Sequence, residues 1–473
     1  MDILKRLFLC CLLGCCSLFV YAQEDDFDVP GEGDDVEVAD GDTIVLSEEE
    51  IQASWTPEER WVHHLCHRLD SVLQRDMYTT KTVKKGKGKK ARRVTTTVKR
   101  GYRVGINVFD LTADSTIYSH NAHDMFIPAS NQKLFVSIAA LSTIGSDYNF
   151  ATDIYTDGRE MTDVKKLYEI RCDTVMISDS TFTVNVDTIG VTEVERNYLK
   201  GNVYVQGGFD PTLGKDAVDY VVGKLMALDV DSIDGVIYGY EPQRSQVSGS
   251  WFWEKHPSRS FPSLLYKAMC ANGIAFSSPN AYASLSTPRD IDARLVTSLG
   301  TSLTSMLRRM MKNSDNYYAE SMLLNLCDLR DTDHWTYNGC CQQVRDMVKR
   351  AGASPDEYNI SDGSGLSHSN KSTPAALTSI LRYAYHDKKI YEPLYESLPI
   401  AGVDGTIGRR MKGTAAYRNV RAKTGTVSGV STLSGYVTAP NGHELAFSIL
   451  VNSVSSSTVG RHLQDLLCIE MAK

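Results

Sequence analysis

The chain reads as an α+β protein, an antiparallel sheet flanked by helices and interrupted by an inserted, mainly β domain. Three observations predict this. Arg103 to Leu111 alternates as a strand, Ser115 to Ser119 can be its hairpin return, and a helical pattern follows from Pro128. Three strand-like runs and a helical pattern close the chain. Between these halves lie far more residues than one compact core needs, and they carry strand and turn signals throughout.

Taken in order, Lys5 and Arg6 precede an apolar run from Leu7 to about Ala22, too short for a membrane span and suited to a signal peptide cleaved near Ala22. This predicts a periplasmic, exported protein. Leu12-Leu13-Gly14-Cys15 loosely resembles a lipoprotein signal, but the apolar run continues past Cys15, which argues against a lipid anchor there. Residues 23–54 are dense in Asp and Glu with few large apolar side chains, so they read as a disordered acidic leader. Trp55 to Met77 regains helical spacing through Trp61, Leu65, Leu69 and Val72 and opens the first part of the main domain, residues 55–148. Lys81 to Arg100 carries a basic cluster from Lys84 to Arg93. It has no interleaved aromatics in a chain of net charge -8, which speaks against nucleic acid and for a solvated loop.

The helical pattern after Pro128 runs through Leu134, Phe135, Ile138 and Leu141 until Gly145. It places Ser130 and Lys133 three residues apart on one face, a nucleophile with an adjacent base once the amine is desolvated. Alone, such a pair is ordinary helix surface. Residues 149–288 then hold strand-like runs at Thr174–Ile177, Asn202–Val205 and Asp234–Tyr238, the inserted domain. The second part of the main domain, residues 289–473, opens with an amphipathic helix from Leu303 to Met311 leading into Ser314-Asp315-Asn316, with helix again from Ala319 to Leu326. Two glycine loops follow, Ser361 to Ser367 and Ala401 to Thr406. Strands are expected over Arg418–Thr426, Leu433–Ala439 and Glu444–Asn452, then a helix over Val459–Met471, with Lys423-Thr424-Gly425 on the edge strand.

Ser130/Lys133 is the chain's only Ser-x-x-Lys and Lys423-Thr424-Gly425 its only Lys-Thr-Gly. Ser-x-Asn also occurs at Ser119 and Ser278, but the first precedes the nucleophile and the second has a proline inside the motif. Ser-x-x-Lys, Ser-Asp-Asn and Lys-Thr-Gly in this order are the motif set of active-site serine β-lactamases and penicillin-binding proteins. Asn202 to Leu213, Asp362 to Ser367 and Ala401 to Thr406 extend the likeness. On these residues the chain resembles the D-alanyl-D-alanine carboxypeptidase/endopeptidases of the penicillin-binding protein 4 type, the class C low-molecular-mass group, from about Arg103 to Leu467.

The resemblance implies a β-lactamase/transpeptidase-like domain acting on peptidoglycan stem peptides, with β-lactams as covalent inhibitors and no cofactor or metal. It implies Ser130, Lys133, Ser314, Asn316 and Lys423 as catalytic residues. Thr424, Gly425, Thr426 and Asp315 are implied at the substrate and oxyanion side, and Asp362, Gly363, Ser364 and Asp404 in supporting loops. His368, where the group commonly has arginine, Phe209 within the glycine-rich turn, and an insert shorter than in larger members are departures. A β-lactamase or esterase of the same fold and a non-enzymatic wall-binding protein are the alternatives, and contacts of the basic stretch with cell-wall polymer or envelope proteins stay open. His63, His64 and His67 beside Cys66 lack a second ligand cluster and read as helix surface. Outside the signal lie seven cysteines, an odd number with no evident disulfide framework.

Overall fold

The computed structural model describes residues 54–85, 92–178, 181–240, 260–285, 292–327 and 335–473. The expected signal peptide, nearly all of the acidic leader and residues 86–91 of the basic stretch lie outside the described residues.

Val430–Thr438 and Glu444–Asn452 are almost continuously apolar or small, and both are buried along nearly their whole length. They form the middle of an antiparallel five-stranded sheet, ordered Arg421–Val427, Val430–Thr438, Glu444–Asn452, Arg103–Asp110, Ser115–His120. Alternation sends Leu445, Phe447, Ile449 and Val451 to one face and Ala446 and Leu450 to the other. The first face is covered by helices Pro57–Met77 and Ser457–Met471 through Leu65, Leu69, Leu463 and Leu467. The second is covered by Gln132–Thr143 and Pro374–Tyr385 through Leu134, Ile138, Leu377 and Leu381. A sheet covered on both faces needs strands without polar alternation, which is why these two lack it. As expected, Arg421–Val427, carrying Lys423-Thr424-Gly425, is an edge strand.

Pro57–Met77 begins with a capping box between Thr56 and Glu59 and with Pro57 in its first turn, where a missing N–H costs nothing. After it the structure departs from expectation. In place of a loop over 81–100, Tyr78–Lys85 and Arg92–Lys99 pair as an antiparallel hairpin. Threonine and valine are interspersed there with the basic residues, and β-branched residues favour the strand whatever the charge beside them.

The inserted region is built on a second five-stranded sheet, ordered Tyr282–Leu285, Ile237–Tyr240, Val203–Gln206, Asn149–Thr156, Arg294–Ser302. The insert is mainly β, as expected; the structure adds its strand directions and helices and moves one boundary. The first three strands run parallel, and helices Lys215–Met226 and Phe261–Ala271 lie between them in sequence, packing through Val218, Val221, Leu265 and Met269. Parallel neighbours require such crossovers. The sheet also takes in Arg294–Ser302, beyond the expected end at residue 288, because this strand pairs with Asn149–Thr156. Where a short strand near 174–177 is expected, Arg159–Ser178 and Thr181–Lys200 form a hairpin of two 20-residue strands. No helix among the described residues is long and apolar enough to cross a membrane.

Candidate active site

Ser130 lies in a 3-10 turn, Ala129–Asn131, that runs into the helix Gln132–Thr143. Ala129 has φ 48, rare for a residue with a side chain. It is held there by packing: Gly365, itself at φ 83, comes so close that a side chain on it would run into the Ala129 carbonyl. Asn131 ties the same turn to the edge strand, its amide oxygen accepting from Ser434 Oγ at 2.6 Å and its nitrogen donating to the Lys423 carbonyl at 2.9 Å. The opposite orientation would aim the oxygen at acceptors only.

The Ser130 helix is buried from Gln132 to Leu141, so Lys133 is wholly enclosed. Its Nζ donates to Ser130 Oγ at 3.0 Å, to Asn316 Oδ1 at 2.8 Å and to the Ser364 carbonyl at 2.5 Å. Burial lowers the Lys133 amine to about 8, against the opposing pull of Glu320, Asp362 and Asp315. Desolvation wins because all three acids act at a distance while the amine itself is wholly buried.

Ser314 caps the helix Leu303–Asn313 in the left-handed region at φ 58, which lets the chain turn sharply into the helix Asn316–Leu324. The Lys423 Nζ donates to Ser314 Oγ at 2.8 Å and to the Thr424 carbonyl at 2.7 Å. Burial, and then the positive charge of Lys133, pull the Lys423 amine well below its usual range. Gly425 lies against the nucleophile turn: a Cβ there would stand 2.7 Å from the Pro128 carbonyl and 2.9 Å from the Ser130 nitrogen. Thr424 Oγ1 donates to Thr406 Oγ1 at 2.8 Å, joining the edge strand to the Ala401–Thr406 loop.

The supporting loops are held by their own carboxylates. Asp362 accepts from the Gly365 and Ser367 nitrogens at 2.6 and 2.7 Å and from Asn370 Nδ2 at 2.8 Å. Asp404 takes the Lys312 ammonium at 2.7 and 2.8 Å and the Ile400 nitrogen at 2.9 Å. Gly363 and Ser364 donate their backbone N–H groups to Glu320 Oε1 at 3.1 and 2.9 Å.

Ser130, Ser314, Thr424 and Thr426 thus open onto one cleft of about 690 Å³, with Thr406 on its wall. Asn316, Lys133 and Lys423 stand directly behind these hydroxyls. Asp315, expected on the substrate side, is turned away: its carboxylate caps the following helix by accepting from the Tyr317 nitrogen at 3.1 Å. Phe209 is buried in the core, its ring stacked on Trp335 at 6.4 Å between centroids. His368 is exposed and does not line the cleft, nor do His63, His64 and His67 on the first helix.

Two features escape the sequence reading. Glu320 is enclosed beneath the site, accepts from Tyr337 Oη at 2.9 Å as well as from the loop, and has its carboxyl raised by burial and then by Asp362. Its place four residues after Asn316, on the same helix face, is the signal that points to it. The cleft is also lined by Arg409, Arg410 and Arg461, with His462 and Asp465 beside them; three of these five come from the last helix, remote in sequence from every motif.

A seryl oxygen beside a buried, depressed amine and a second serine held by a second buried lysine make an arrangement suited to acyl transfer. Comparison with known proteins agrees. A curated D-alanyl-D-alanine carboxypeptidase from Actinomadura sp. (strain R39) is 26% identical over 440 residues, covering 78% of this chain and 81% of its own. The D-alanyl-D-alanine carboxypeptidase DacB of Haemophilus influenzae is 34% identical over 161 residues, 33% of each chain. The crystal structure of penicillin binding protein 4 (dacB) from Haemophilus influenzae shares the fold, with a TM-score of 0.60 at 19% identity over 78% of this chain and 97% of that one. The profile of the D-Ala-D-Ala carboxypeptidase 3 (S13) family matches residues 94–171 and 225–469, well over half of the sequence, and the chain belongs to that family.

Proposed function

We infer that this protein is a serine-type D-Ala-D-Ala carboxypeptidase and/or DD-endopeptidase that works on peptidoglycan stem peptides through an acyl-enzyme on Ser130 and is blocked by β-lactams. The observation that carries this reading is the Lys133 amine, buried and shared between Ser130 Oγ, Asn316 Oδ1 and the Ser364 carbonyl.

Neutral Lys133 takes the hydroxyl proton as Ser130 Oγ attacks the carbonyl of the D-Ala-D-Ala bond. The oxyanion forms between the backbone N–H groups of Ser130 and Thr426, each worth about 3 kcal/mol in acyl-transfer sites. Ser314, hydrogen-bonded to Lys423, relays to the departing amine the proton that Lys133 took, which leaves Lys133 neutral again. The C–N bond breaks and an ester to Ser130 remains, which water hydrolyses with Lys133 again as base. Lys423, Thr424 and Thr426 set a cation and hydroxyls where the terminal carboxylate comes to rest. A β-lactam enters by the same attack and stays as a stable ester.

The chain divides, on this reading, into a catalytic domain in two parts, before 149 and after 302, around the inserted sheet. Export to the periplasm through the segment ending near Ala22 fits a peptidoglycan substrate. A contact of the basic stretch with anionic cell-wall polymer belongs to the same reading.

The test is labelling with a fluorescent penicillin beside Ser130→Ala, followed over time, then assays on pentapeptide and crosslinked muropeptides. Stable label that depends on Ser130 is expected. A folded protein that takes no label would sink the acyl-enzyme, and label lost within seconds would favour a β-lactamase.

A further inference from the structure

The hairpin Arg159–Ser178 with Thr181–Lys200 has no role in the catalytic reading. Beyond the pairing of Tyr198–Lys200 with Ser232–Asp234, both of its edges are free of strand neighbours among the described residues. Its distal half lies between the two segments that match the family profile. A two-stranded ribbon alone is marginally stable in water, so its exposed length calls for a covering layer.

The register sorts the side chains. Directly opposed residues of an antiparallel pair share a face. On one face stand the rungs Ile170/Thr188, Cys172/Val186, Thr174/Val184 and Met176/Phe182, with Tyr168/Val191 beyond a bulge at Ile189, and no charge among them. The intervening rungs put Arg171, Asp187 and Asp173 on the other face. The uncharged face is open to solvent, from 46% at Val184 to 72% at Met176. It offers on the order of 800 Å² per copy, the amount one side of a specific interface buries.

The order of these rungs identifies the occupant. About the central Cys172/Val186 rung the pattern is nearly palindromic: each outer rung pairs one aromatic ring with one aliphatic side chain, and each inner rung pairs one threonine with one branched aliphatic. A two-fold axis across the ribbon at Cys172 lays Tyr168 on Met176 and Phe182 on Val191. It sets each threonine against a larger branched residue, Ile170 on Thr174 and Val184 on Thr188. Outside the central layer, where Cys172 and Val186 each meet their own copy, the layers set larger against smaller side chains, as two packed faces need, and no charge is buried. We propose that this face is a homodimer interface, its occupant the same face of a second copy of this chain, with the two Cys172 side chains meeting at the axis.

The test uses the full exported chain in sedimentation equilibrium at micromolar concentration, with penicillin labelling as the check on folding. The expected result is twice the mass of the chain, falling to one copy in Phe182→Asp and in Val184→Asp with labelling intact, and unchanged in Glu169→Lys. A short bismaleimide should join two copies through Cys172, and Cys172→Ser should abolish the product. A correctly labelled monomer throughout, or a dimer that survives both aspartate variants, would overturn the proposal. So would a monomer that floats with phosphatidylglycerol vesicles in a Phe182-dependent way, since the occupant would then be lipid.

Discussion

The Lys423 ammonium donates to Ser314 Oγ across 2.8 Å, joining the edge strand of the sheet to the cap between two helices. On the proposed mechanism neither residue carries the nucleophile, yet together they supply the proton route to the leaving amine. Ser314→Ala should lower the acylation rate roughly 100-fold, within the range general acid–base groups contribute, while leaving unfolding by urea almost unchanged. Lys423→Ala should cost at least as much, because it removes the cation as well as the Ser314 partner. Stopped-flow acylation by a reporter penicillin reads both, and a Ser314→Ala enzyme at full rate would exclude this route.

The pH profile follows from Lys133. Only the neutral amine can accept the Ser130 proton, and burial lowers it to about 8. Acylation should therefore rise as pH increases through about 8 and level off above it. The same shift acts on stability: the unfolded chain holds this proton more tightly than the folded one, so this residue's contribution improves with rising pH between about 8 and the usual lysine range. A rate constant that stays flat from neutral pH upward would remove Lys133 as the base.

Glu320 should act through the loop it holds. Glu320→Ala leaves the buried Gly363 and Ser364 N–H groups without an acceptor, at about 1–3 kcal/mol each. The Ser364 carbonyl that receives the Lys133 amine then loses its support. Equilibrium unfolding should show the loss and acylation should slow, with Glu320→Gln milder in both because it keeps a carbonyl oxygen. An alanine variant of unchanged stability would show that water or another group takes over the loop.

Gly425 is expected to tolerate no side chain. An added methyl would press on Thr432 Oγ1, the Pro128 carbonyl and the Ser130 nitrogen together, the last of them an N–H that holds the oxyanion on the proposed mechanism. Displacing such a site by about an ångström costs on the order of 100-fold. Gly425→Ala should lose at least that much in acylation, and circular dichroism should report the fold retained. Near-normal activity would place the oxyanion elsewhere.

The amino-acid sequence by itself determined the nucleophile helix, the three motifs and their order, and the closing strands, because each is a local pattern. Apolar spacing sets Leu134 and Ile138 inward. Unbroken apolar runs mark Val430–Thr438 and Glu444–Asn452 as central. Ser130 and Lys133 are near neighbours by helical geometry alone.

What only the tertiary structure decided depends on residues brought together from afar. Lys133 has a depressed amine because sheet, loop and helices exclude water from it, and no spacing of motifs states how dry a site is. Asp315 sits inside a motif yet serves a helix end, since its carboxylate finds the Tyr317 nitrogen first. Arg294–Ser302 joins the inserted sheet because pairing energy is gained across 145 residues, as between Ser298 and Asp153. The uncharged face of the long hairpin emerges only once register is fixed, because pairing, and not propensity, settles which side chains stand together.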